Sequence, residues 1–161
     1  MKKLFAILTA LCLMCTCCAV LADTEPPTWE SMPAVVIEDE NTVVEESAFA
    51  GEWVLNAAFF GEKYVDLDAL MHTYDYDISS MPFCIGEGKV TREEQQENGE
   101  FVTREAPYTF EAGQLHGTDW NGRNFVFELL EDGNIVLSLF YPGEGEEVGC
   151  LSVFLQHPSV F

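Results

Sequence analysis

The chain has 161 residues, 28 of them acidic and 7 basic, for a formal net charge of −21. That length fits one domain plus an export segment, or at most two very small domains, and the 48% hydrophobic and 12% aromatic content is enough for a packed core, which excludes wholesale disorder. The charge argues against nucleic acid and anionic membrane as partners, because both would repel it.

Residues 1–22 read as a signal peptide. Lys2 and Lys3 form a short basic start, and an uncharged apolar run follows from Leu4 to Leu21. Val20-Leu21-Ala22 puts compact residues before acidic Asp23, so cleavage is expected after Ala22. The two-lysine start has a bacterial style. A membrane anchor is the weaker reading, since the run is at the short end for spanning and no positive stop follows. Cys12, Cys15, Cys17 and Cys18 lie in this segment. None is preceded by Leu and two small residues, so lipoprotein anchoring is also the weaker reading. The expected location is secreted and extracellular. All 28 acids lie beyond Ala22 and two of the 7 bases do not, so the chain from Asp23 carries 5 bases and a net charge of −23. Such a chain repels its own copies, and a monomer is expected.

Residues 23–46 are acidic and contain Pro26, Pro27 and Pro33, then Glu38-Asp39-Glu40 and Glu45-Glu46. Without a sustained apolar period they read as a flexible tether. Val35-Val36-Ile37 and Val43-Val44 are the two places where it would add short strands to the domain.

From Ser47 to Phe161 the chain reads as short alternating runs between turn signals, the pattern of an all-β sandwich or barrel. The first strand starts at Gly51 and runs to about Phe59. Val65 to His72 is the one helical candidate, with Asp66 or Asp68 as its cap. Strands follow over Ile78–Ile85 and Lys89–Glu93, and Asn98-Gly99 signals a hairpin. Phe101–Phe110 is next, with Pro107 marking an edge or bulge. Gln114–Thr118 and the Asn121-Gly122 turn lead to a strand with Phe125, Phe127 and Leu129 on one face. Beyond Asp132-Gly133, Ile135, Leu137, Leu139 and Tyr141 share a face, with Val136 and Phe140 on the other. In the last strand Leu151, Val153 and Leu155 alternate against Ser152, Phe154 and Gln156. With a period of two, each set marks an inner or an outer face. About eight strands in a meander close most economically into an antiparallel up-and-down barrel, which removes exposed edges.

Gly51-Glu52-Trp53 resembles the Gly-x-Trp signature of the lipocalin superfamily. The stretch from Ser47 to Gln156 is similar in element order to small lipocalin-like domains of secreted bacterial proteins. The resemblance implies that Gly51 and Trp53 are structural and that Trp53 plugs one end of an eight-stranded barrel. It also implies binding of a small apolar molecule inside. Phe125, Phe127, Leu137 and Leu139 are the candidate lining residues, because they alternate on shared faces of the two clearest strands. The chain is shorter than typical lipocalins, and Arg123 is a poor match for the arginine that packs on the tryptophan in that family.

No catalytic constellation stands out, and the chain is expected not to be an enzyme. His72, His116 and His157 are isolated, whereas zinc needs three or four convergent ligands. The acidic groups around Asp66, Asp75 and Glu144 lack EF-hand spacing. Neither metal nor cofactor is expected. Asp119 and Glu128 are the least implausible carboxylates for glycoside hydrolysis, and a polar rim is the simpler reading. Apolar residues on both faces of the Ile135 strand exceed one buried face, which calls for a cover from the helix or the tether or, as the sharper reading, a cavity or surface groove for an apolar ligand. Cys84 and Cys150 are the two cysteines after the signal. Their even number in an oxidising compartment suggests a disulfide. The strand order opposes it, placing them at opposite ends of non-adjacent strands, beyond the limit of about 7 Å between Cα atoms.

Two functions follow as expectations. One is a secreted binding domain that holds a small hydrophobic molecule in the barrel. The other is a non-enzymatic structural or protein-interaction domain with a filled barrel core.

Overall fold

A computed structural model describes residues 25–66, 82–96, 98–141 and 149–158. The signal segment and most of the helical candidate lie outside these residues, and Val65 and Asp66 are not helical. The strands are β1 (Gly51–Phe60), β2 (Lys63–Tyr64), β3 (Phe83–Gly86), β4 (Lys89–Gln95), β5 (Phe101–Glu111), β6 (Gln114–Thr118), β7 (Asn124–Leu129), β8 (Ile135–Tyr141) and β9 (Gly149–Gln156). Each pairs antiparallel with its neighbours, and β1 also pairs with β9. Eight strands thus close into an antiparallel barrel, and β2 is a two-residue return on the end of β1. The helical content of the described residues is two 3₁₀ turns, Trp29–Ser31 and Glu46–Phe49.

The alternation in the last three strands becomes the barrel's inside and outside. Phe127 faces Leu137, and Leu137 faces Val153, all in the interior cluster. Val136 faces Phe154 on the outer surface. In β1 the register shifts between Leu55 and Ala57. The extra residue, Asn56, is exposed, and the bulge lets Ala57 and Phe59 join the outer cluster while Trp53 and Ala58 belong to the inner one. Pro107 is the last β5 residue paired with β4, and Tyr108 is the first paired with β6. The missing N–H therefore falls where the strand changes neighbours and interrupts neither ladder.

The segment read as a flexible tether lies on the barrel in this structure. Val35 makes an antiparallel bridge with Leu130, the Val36 N–H donates to the Leu129 carbonyl at 2.8 Å, and the Glu131 N–H donates to the Ala34 carbonyl at 2.9 Å. Trp29 sets its ring edge-on against Phe59 and Phe154, with centroids 5.5 and 5.8 Å away. Met32 and Val35 pack on the same outer cluster. The acidic run makes a turn rather than a repelling coil. Asp39 Oδ1 accepts the N–H groups of Asn41 and Thr42, each at 2.8 Å, and Glu38 Oε1 accepts that of Val44 at 2.9 Å. The bonds from Asn41 and Thr42 hold the Asp39 carboxyl below its ordinary pKa, and Val44, held by Glu38, joins the interior cluster. Composition suggests a tether because its apolar residues are sparse and aperiodic. Trp29, Met32, Val35, Val36 and Val44 nonetheless meet apolar positions on a surface formed elsewhere in the chain, whereas Ile37 and Val43 stay exposed.

Cys84 lies opposite Glu52 at the start of β1, whereas the Cys150 carbonyl accepts the Gly61 N–H just past the other end of β1. The length of that strand, roughly 30 Å, separates them, and both are free thiols.

Candidate functional site

One end of the barrel is plugged. The second 3₁₀ turn drives Phe49 into the base, where it is fully buried against Phe110. Trp53 Nε1 donates to the Phe49 carbonyl at 2.8 Å, which satisfies a buried indole and locks the turn to β1. The His157 ring lies on Trp53 with centroids 4.2 Å apart, and it also closes over Gly51. Gly51 has φ of +133°, a conformation L side chains rarely adopt, and an added Cβ would sit 3.2 Å from the imidazole. Both residues of the Gly-x-Trp resemblance therefore sit in a packed plug.

Above the plug the barrel is filled by its own side chains. Phe125, Phe127 and Leu137 are buried and Leu139 is half-buried. These four share the lining of one internal cavity with Phe83, Val90 and Ala106. The cavity measures about 50 Å³. Gly117 shows how tight the wall is: a Cβ there would collide with the Phe125 ring and come within 2.5 Å of the Pro107 carbonyl.

The polar edge of this cavity is formed by Arg92, Asp119, Trp120 and Arg123. Arg92 stacks its guanidinium over Phe83 at 4.6 Å. Asp119 is buried in the β6–β7 turn, where its Oδ1 accepts the N–H groups of Asn121 and Arg123 at 2.9 and 2.8 Å. Its Oδ2 accepts Arg123 Nε and Nη2 at 2.7 and 2.6 Å. Arg123 Nη1 also donates to the Tyr141 hydroxyl at 2.8 Å. Burial alone would lower the Arg123 pKa, but the Asp119 and Tyr141 contacts outweigh it and raise it. With four donors on its two oxygens, Asp119 is a structural carboxylate that pins a turn.

The carboxylate pair weighed from the sequence does not assemble. Glu128 lies near the far end of β7, opposite the outward-facing Val136, and accepts Gln114 Nε2 at 2.6 Å. Among the described residues no three of His, Cys, Asp and Glu converge as metal ligands would.

Larger spaces lie outside the barrel: an open groove of about 860 Å³ along β5 to β8, lined by Pro107, His116, Val126 and Phe140, and a second beneath the N-terminal segment. Residues 29–35 form a strap that arches over the outer face of β7, β8 and β9, enclosing a groove of about 460 Å³. Val136, Ser138, Ser152 and Phe154 make its floor, and Trp29, Met32 and Val35 its near wall. Sequence reasoning raised a surface groove but did not place it beneath this strap, nor did it find the position of Arg92 at the cavity edge. The excess of apolar residues on both faces of β8 was the one available signal.

No family model, no curated protein and no solved structure matches the chain.

Proposed function

We propose that the chain is an exported, non-enzymatic binding domain on a lipocalin-like barrel, and that it recognises its partner from its outer surface. The observation that carries this reading is the interior volume. About 50 Å³ remains inside, whereas pockets for small organic ligands run from about 300 to 1,000 Å³. Export rests on the apolar run behind Lys2 and Lys3 and on the compact residues before Asp23. The lipocalin-like assignment rests on the eight-stranded closed barrel, its up-and-down order and the plug around Trp53.

The test is to close the interior while leaving the outside intact. Leu139→Phe should fill the remaining cavity, fold normally and leave every binding property unchanged. Loss of binding to an apolar fluorescent probe in that variant would return the ligand to the barrel and refute surface recognition.

A further inference from the structure

We infer that the groove beneath the strap is a binding site for a cationic amphiphile: an apolar chain or ring carrying a single ammonium group. The inference rests on the surface-recognition reading above and gives it a place and a ligand class. The strap is anchored at two points, the Val35–Leu130 bridge on one side and Trp29 against Phe59 and Phe154 on the other. Between them it arches over strands whose facing residues are small. Ser138 pairs directly with Ser152 across β8 and β9, next to the larger Val136–Phe154 pair. Two short hydroxyl side chains under an arch leave a hollow. Its volume of about 460 Å³ lies within the range for small-molecule pockets, unlike the interior.

The lining sets the ligand chemistry. The floor and wall are mainly apolar, which suits a hydrocarbon body. The charged residues on the groove are Glu30 and Glu128, both carboxylates, with no basic residue among those that line it. A net charge of −21 concentrates cations at the surface and repels anions. Trp29 lines the groove, and an aromatic ring beside two carboxylates is a favourable neighbour for an ammonium group.

Calorimetric titration of the full chain with decyltrimethylammonium, below its micelle concentration, tests this. Saturable one-to-one binding is expected, with decyl sulfate at least tenfold weaker. Ser138→Trp should fill the groove and weaken binding at least tenfold. Glu30→Gln with Glu128→Gln should weaken it severalfold, while Glu87→Gln, on the β3–β4 turn, should not. Should Ser138→Trp misfold, intermolecular nuclear Overhauser contacts to the Met32 and Val136 methyls of the unmodified chain replace it. Equal affinity for both detergents, or equal effects of Glu87 and the groove acids, would overturn the inference. Absence of saturable binding would also overturn it, leaving surface recognition standing. Binding abolished by Leu139→Phe and unaffected by Ser138→Trp would overturn both.

Discussion

The two sides of the β8–β9 pair behave differently although their residues are interleaved one by one. On the inside, Ile135, Leu137, Val153 and Leu155 are buried among the aromatic rings of the other strands. On the outside, Val136 and Phe154 are equally buried, yet they sit beside a groove of about 460 Å³. Burial is therefore a poor guide to packing here. The inner face is enclosed by the six other strands of a closed wall. The outer face is covered by one arch of chain held at its ends.

That contrast makes a ranked set of predictions. The largest effect belongs to the interior. Phe127→Ala should cost about 3–5 kcal/mol in urea denaturation, because the closed wall cannot collapse into the space. Phe154→Ala, on the other face of the same wall, should cost about half as much, since space already lies beside it. Equal costs would show that the strap packs as tightly as the barrel does.

Asp119→Ala comes next. It strands two backbone N–H groups and the Arg123 guanidinium, and should lower stability by about 2–3 kcal/mol. The Tyr141 hydroxyl signal should shift in the NMR spectrum as Arg123 is released.

Trp53→Phe keeps the ring and removes the indole donor, leaving the Phe49 carbonyl unsatisfied. About 1–2 kcal/mol of lost stability is expected. A neutral result would mean that water replaces the bond and that the plug is wetter than its burial implies.

The strap should give the smallest change: Trp29→Ala should cost about 1 kcal/mol. It should also increase proteolysis within residues 25–45 while the barrel core stays protected from hydrogen exchange.

The alkaline limb sharpens the same contrast at the base. Burial, and then the hydrogen bond its hydroxyl donates to Glu46 at 3.0 Å, raise the Tyr108 pKa. Burial, and then the nearby Glu52 charge, raise that of Cys84. Both groups hold their protons more tightly when folded. Their contributions are complete below the unfolded values, about 8.5 for the thiol and 10 for the phenol. They are lost as pH climbs through the folded values. Denaturation midpoints should fall above pH 8.5, and Tyr108→Phe should flatten the part of that fall above pH 10.

Much of this architecture was legible before any coordinates. The alternation of Phe125, Phe127 and Leu129 and of Ile135, Leu137 and Leu139 assigned the inner face correctly. The turn signals at Asn98-Gly99, Asn121-Gly122 and Asp132-Gly133 marked hairpins that form. These are local properties: a period of two and a turn residue act within a few positions and need no knowledge of the far side of the molecule. The same reasoning carried the separation of Cys84 from Cys150, since strand order alone puts them at different ends.

Volumes were not legible, and of the long-range cover only the need was, from the apolar residues on both faces of β8. How much space a ring of eight strands leaves depends on its radius and stagger and on which side chains meet across it. No single strand carries that sum, so Phe127 reads equally well as a filler or as a ligand contact. Which residues of the tether would make that cover was hidden for a related reason. Trp29, Met32 and Val35 recur every third residue, but over too short and proline-broken a run to define a helix or strand face, and they match positions on Phe59, Leu130 and Phe154 that become neighbours only when β1, β7 and β9 close the wall. Asp119 shows both limits in one residue. Its place in a turn could be read from the Asn121-Gly122 signal, but its four donors, and thus its structural role, required the folded backbone to bring them together.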